Sequence, residues 1–169
     1  MNWLRGVVQK IGTRHAEQRI GIIGNCITGP IPLALLDHPQ VRTAVVAQSA
    51  LPLRFWWHTE ADKQSLGLAT NDLQHARNSI AKIYGLRFET DCISAPAKQH
   101  TLRKEFGNRF INGEIPASEY QRDGKPVKAH SKLIGSWRAH GEAGQPSRDA
   151  RESVREFLLK ELSEILPAR

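Results

Sequence analysis

Three residues of this 169-residue chain have the types and the order that covalent acyl chemistry requires: Cys26, Asp91 and His130. Cys26 lies in Gly24-Asn25-Cys26-Ile27-Thr28-Gly29, Asp91 follows Glu89-Thr90, and His130 lies in Ala129-His130-Ser131-Lys132-Leu133. A thiolate is the nucleophilic form of cysteine. An imidazole at His130 would take the thiol proton and return it to a leaving group, while the Asp91 carboxylate would fix the imidazole tautomer. The backbone N–H of Ile27, the residue after the nucleophile, would face the oxygen on which negative charge develops. Each residue also has a plainer use. Cys26 could be a small buried apolar group, and Asp91 could cap a turn. His140 competes with His130, but its setting, Arg138-Ala139-His140-Gly141-Glu142, reads as exposed loop. The histidines at 15, 38, 58, 75 and 100 stand singly and read as surface or helix residues, and Cys92 reads as a spectator thiol.

Positioning such a trio takes a scaffold that ends several strands at one rim. Leu4, Val7, Val8 and Ile11 follow helical spacing, so residues 2–16 predict an amphipathic helix. Ile20-Gly21-Ile22-Ile23 is a wholly apolar run of the kind buried on both faces of a parallel sheet. Val41 to Ala47, Ile83 to Glu89 and Arg109 to Ile115 predict three more strands. Helices are expected at Leu33 to Leu36, Asn71 to Lys82 and Pro96 to Phe106, the last closed by Gly107. A polar loop is expected from Pro116 to Lys128. A final helix is expected after an N-cap at Ser147, with Val154, Phe157, Leu158, Leu162 and Ile165 on one stripe. The alternation predicts an α/β fold with a mainly parallel sheet of about four strands flanked by helices. In such sheets chemistry sits beyond the carboxyl ends of the strands, where Cys26, Asp91 and His130 fall.

Composition narrows the function classes. Apolar residues make up 40% and charged residues 24%, the balance of a globular domain. Lys and Arg exceed Asp and Glu by 24 to 17, a net charge of +7. Residues 97–138 hold nine basic against four acidic side chains, so most of the excess lies there. The basic residues stand singly among apolar ones without aromatic interleaving, which argues against nucleic acid. A solvated basic face, or a rim attracting a carboxylate, is expected instead. No apolar run approaches the roughly 20 residues of a bilayer span, and no signal peptide is read at the start, so a cytoplasmic protein with two reduced thiols and no membrane association is expected. Cys26 and Cys92 lack paired-ligand spacing, so no metal is expected. Trp56-Trp57 reads equally as pocket wall or ordinary packing.

The segments around the trio resemble the dienelactone hydrolase family of α/β-hydrolases. Gly24-x-Cys26-x-Thr28-Gly29 is similar to the family's nucleophile elbow, and the likeness continues through Gly85-Leu86-Arg87-Phe88-Glu89-Thr90-Asp91. It runs on through Pro96 and from Thr101 to Phe110, and returns at His130-Ser131-x-Leu133, covering nearly the whole chain. The resemblance implies hydrolysis of a small carboxylic ester or lactone, with Cys26 as nucleophile, Asp91 as acid, His130 as base and no cofactor. An anionic substrate would suit the basic stretch. Complete members carry several strands before the nucleophile strand, so residues 1–169 are expected to be a single incomplete domain, the C-terminal portion of the fold. The second oxyanion donor would belong to the front region. Pro30 and Pro32 would break up the helix after Cys26 and weaken its dipole. The competing expectation is a non-catalytic remnant or association module retaining half of a hydrolase sheet. The uncovered edge at Ile20 to Ile23 is expected to give homo-oligomers, a complementing partner chain or poor solubility.

Overall fold

A computed structural model describes residues 2–52, 59–119, 121–122, 125–126 and 145–163. Helix α1 (Asn2–Arg14) leads into strand β1 (Ile20–Asn25), and strands β2 (Val41–Ala47), β3 (Lys82–Phe88) and β4 (Phe110–Ile115) complete a sheet in the order β1-β2-β3-β4. All three pairings are parallel. Helices α2 (Glu60–Gln64), α3 (Thr70–Asn78), α4 (Pro96–Phe106) and α5 (Gln145–Ser163) connect or follow the strands. The expected α/β architecture is therefore present.

The period of two along β2 builds both halves of the core. Ala44 and Val46 face a cluster formed by Val8 of α1, Leu33 and Leu35, Ala76 of α3, and Leu102 and Phe106 of α4. Val45 and Ala47 face the other way, onto Leu86, Phe88 and the stripe Ala150, Val154 and Phe157 of α5. Tyr84 packs on Phe157 with ring centroids 5.2 Å apart, and burial pushes its phenol above the usual range against an opposing hydrogen bond from Ser153. Arg5 ties α1 down by donating to Asp37, to Asp72 and to the Ala34 carbonyl.

Several local expectations are corrected. Residues 31–35 form a 3₁₀ helix, not an α-helix, because prolines at 30 and 32 lack the N–H donors of a regular first turn. Helix α3 stops at Asn78, four residues short of Lys82; Ser79 turns extended, its Oγ accepts from the Ala81 N–H, and Lys82 is taken by pairing with Thr43. Helix α5 starts at Gln145, so Ser147 lies inside its first turn and is not the N-cap. The stretch expected as loop after Pro116 contains a 3₁₀ turn (Ala117–Glu119) and the two-residue antiparallel pair β5 (Gln121–Arg122) and β6 (Lys125–Pro126). The short α2 was signalled by an unread capping box: Thr59 Oγ1 accepts from the Asp62 N–H, and Asp62 Oδ2 accepts from the Thr59 N–H. Gly107 does close α4, at φ +54°.

Strand β1 has the apolar sequence of a strand buried on both faces, and it is the expected sheet edge: its described pairing is with β2 alone. Ile23 is 49% exposed. Beside it a groove of ≈ 620 Å³ opens between β1 and α5, walled by Ile23, Val154, Leu158 and Leu159 with Arg151 and Arg155 at its margin.

Candidate functional site at the carboxyl rim

Cys26 is the first residue after β1, and its backbone lies in the left-handed region at φ +58°. That region disfavours side chains with a Cβ, so the position is strained by about 1–3 kcal/mol. The surrounding sequence makes the turn possible. A Cβ on Gly24 would run into the Thr28 carbonyl oxygen and Pro32 Cδ; one on Gly29 would come within 2.7 Å of Ser49 Cα. Thr28 Oγ1 accepts from the Asn25 N–H and donates to the Asn25 carbonyl, closing the turn beneath the thiol. The Cys26 carbonyl accepts from the N–H groups of Gly29 and Ala50, both at 3.0 Å. Cys26 is half-buried, and Ile27 is 54% exposed.

The segment after Cys26 is a three-residue 3₁₀ turn, Cys26–Thr28. A long helix aimed at the sulfur would favour the thiolate; with Pro30 and Pro32 following, that aligned dipole is not built.

Asp91 follows β3 at the same rim and is 2% exposed. Its Oδ1 accepts from the N–H groups of Ile93 and Ser94, each at 2.9 Å, and its Oδ2 accepts from Gln48 Nε2 at 3.4 Å. The loop carrying it is held from inside by Arg87, itself 3% exposed. The Arg87 guanidinium donates to the carbonyls of Ser94 and Glu89 at 2.9 Å and of Asp91 at 3.3 Å, and pairs with Glu114. A buried cation is tolerable when each donor finds an acceptor, and here the acceptors are the loop that presents Asp91.

Residues 48–51 bridge the two positions. The Gln48 N–H donates to the Leu86 carbonyl of β3 at 2.7 Å, and the Ala50 N–H donates to the Cys26 carbonyl. Buried Lys98 donates to the carbonyls of Ser49 and Leu51. Sequence reading missed Gln48, Arg87 and Lys98 as members of this rim. It set Lys98 and Arg109 among solvated basic residues; Lys98 is 2% exposed, and Arg109 lies over the Phe106 ring and donates to the carbonyls of Ala76, Arg77 and Ala81. Burial lowers the Arg109 guanidinium from its ordinary value. Only an isolated charge inside an otherwise apolar stretch could have flagged them.

His130 lies outside the described residues, as do His140, Trp56 and Trp57. The structure therefore brings Cys26 and Asp91 to one rim, joined through residues 48–51. Among the described residues no group of three or more His, Cys, Asp or Glu could hold a metal ion, and no helix is long and apolar enough to cross a membrane.

No protein-family model and no curated relative matches the chain by sequence. Solved structures match it by shape. A protein described as a dienelactone hydrolase from Klebsiella pneumoniae aligns over 95% of this chain and 60% of its own, at 16% identity and a TM-score of 0.58. An esterase from Pyrococcus furiosus aligns over 95% of this chain and 61% of its own, at 15% identity and a TM-score of 0.57. An acylaminoacyl peptidase aligns over 96% of this chain and 27% of its own, at 15% identity and a TM-score of 0.54. The chain thus spans about three fifths of the first two. At such identity the likeness speaks of architecture, and that architecture is a four-stranded parallel sheet flanked by helices, built like part of an α/β-hydrolase.

Proposed function

We propose that the chain is the portion of an ester or lactone hydrolase that carries the nucleophile, with Cys26 as nucleophile, His130 as base and Asp91 as the acid that orients it. The observation behind this reading is the strained backbone of Cys26 at the end of β1, a sharp turn past a strand's carboxyl end that resembles the elbow holding a nucleophile above a sheet. A non-glycine residue in that conformation is uncommon, and a buried hydrogen-bonded carboxylate at the same rim makes a purely packing role for both residues less economical.

The steps follow from the groups. His130 removes the proton from Cys26 Sγ, and the thiolate attacks the ester carbonyl carbon. A carbon–sulfur bond forms, and the carbonyl π pair moves to oxygen, stabilised by the Ile27 N–H. As that pair returns, the carbon–oxygen bond to the alcohol breaks and the leaving oxygen takes the proton from His130. Water, deprotonated by His130, then cleaves the thioester to release the acid and restore the thiol. The second oxyanion donor is assigned to the part of the domain that precedes β1, and its absence would cost about 2.7–4 kcal/mol of transition-state stabilisation. The substrate is a small ester or lactone, anionic if basic side chains of residues 97–138 reach it, and the two thiols suit a reducing, cytoplasmic setting. The test is hydrolysis of aryl acetates and lactones by wild type and Cys26→Ala. The expected result is a drop of at least about 10³-fold, to background. Equal rates would sink the reading.

A second reading has its own observation in favour. Strand β1 has the apolar composition of a central strand but the place of an edge, next to an open apolar groove. We infer that residues 1–169 are an incomplete domain and that a second copy or a complementing chain extends the sheet at β1. As an association module of this kind the chain would need no turnover of its own.

A further inference from the structure

Gln48 is the residue at the rim whose state has no structural return. It is fully buried at 0% exposure, and its backbone is held at φ +46°, the second left-handed non-glycine residue among those described. Its Oε1 is buried without a hydrogen-bond partner among the described residues. An orphaned buried acceptor costs about 1–3 kcal/mol and a left-handed side-chain-bearing residue a similar amount. Against these costs stands one side-chain hydrogen bond, Nε2 to Asp91 Oδ2 at 3.4 Å. The donor toward Asp91 is the amide nitrogen, since an amide oxygen only accepts. Methionine or leucine would fill the same space without the orphan, so burial alone does not account for an amide here.

The backbone around it is over-determined. The Gln48 N–H is tied to Leu86, the Ala50 N–H to Cys26, and the carbonyls of Ser49 and Leu51 to Lys98. These ties set the direction of the Gln48 side chain, and that direction is Asp91.

Resting on the hydrolase reading, we infer that Gln48 is a positioning residue that fixes the rotation of the Asp91 carboxylate. The N–H groups of Ile93 and Ser94 both bind Oδ1 and hold that oxygen alone. The Gln48 amide holds Oδ2, so the plane of the carboxylate, and with it the direction offered to an imidazole, is set by three described donors on two sides. Because the same loop accepts from Lys98 at its other end and donates to the Cys26 carbonyl, a disturbance at Gln48 reaches both members of the site.

The test compares Gln48→Met and Gln48→Glu with wild type by steady-state hydrolysis of an aryl acetate, thermal melting and native-state hydrogen exchange. In Gln48→Met we expect kcat to fall roughly 10- to 100-fold with KM within about twofold, the scale on which small misplacements of a reacting group act. The melting temperature should change little, because loss of the orphaned oxygen offsets loss of the bond to Asp91, and exchange at the Ile93 and Ser94 amides should quicken about tenfold while core amides stay protected. Gln48→Glu, which sets an acceptor against an acceptor, should lose more activity than the methionine variant. Wild-type kcat in both variants overturns the inference, as does a fall in kcat matched by a general loss of stability with unchanged relative protection at 93 and 94. If the wild-type chain hydrolyses nothing, the hydrolase reading fails on its own terms, and the exchange at Ile93 and Ser94 still decides whether Gln48 holds Asp91.

Discussion

Strands β1 and β2 carry the same kind of sequence in different surroundings. Val45, Ala44 and Ala47 of β2 are wholly removed from solvent, with helices on both faces. Ile23 of β1 is half-exposed, and one side of its strand meets a groove in place of a neighbour. The difference divides the candidate site. Asp91, Gln48 and Arg87 hang from the finished interior around β2 and β3, where burial makes each hydrogen bond strong and each unmade one costly. Cys26 hangs from the edge strand, and its turn is held by Thr28, two glycines and the Ala50 N–H. One half of the rim is held by the core, and the other by the local contacts of its turn.

Truncation should expose that contrast most sharply on the finished side. Phe88, 1% exposed between β3 and α5, is expected to cost about 3–5 kcal/mol as Phe88→Ala, read as a lower urea midpoint at unchanged slope. A cost below about 1 kcal/mol would mean that the interior is not closed. At the edge the effect should fall on association. Ile23→Lys is expected to change folding stability by less than about 1 kcal/mol, because half of the side chain already meets water, yet to abolish oligomers seen by sedimentation. A wild-type chain that stays a compact monomer at all concentrations would remove the case for a partner at β1.

The smallest effect is expected where α3 meets α4. Arg77 donates to Glu105 at 2.6 Å, and this hydrogen bond, with the Arg77 charge, holds the Glu105 carboxyl below its usual range against a weaker opposing effect of burial. A carboxyl depressed on folding adds stability that is present above the unfolded value, about 4.3, and is lost as pH falls through the lower folded value. Arg77→Met should therefore flatten the acid limb of the stability curve below about pH 4.3, with no change in its shape near neutrality. An unchanged acid limb would show that the pair is not formed in solution.

Much of the fold was legible in the sequence. Val41 to Ala47 was bounded correctly from its apolar run, and Pro96 to Phe106 from an initial proline and a closing glycine, because those signals act within a few residues. The short 3₁₀ pieces were hinted at by Pro30 and Pro32, whose missing donors are likewise local. At the rim, the places of Cys26 and Asp91 just past strand ends were legible. Gln48 and Arg87 were not, since a glutamine after Ala47 and an arginine between Leu86 and Phe88 acquire meaning only from what they face across the sheet.

The sequence by itself determined the four strands of the main sheet and the helices at either end of the chain, the glycine-flanked turn at Cys26 and the order of the candidate residues, since each follows from local sterics and the period of apolar side chains. Tertiary structure alone decided that Lys98 and Arg87 are buried, that a groove opens beside Ile23, and that the Gln48 amide reaches the Asp91 carboxylate. Burial and hydrogen-bond partnership belong to pairs of residues distant in the chain, and no window of sequence contains both members.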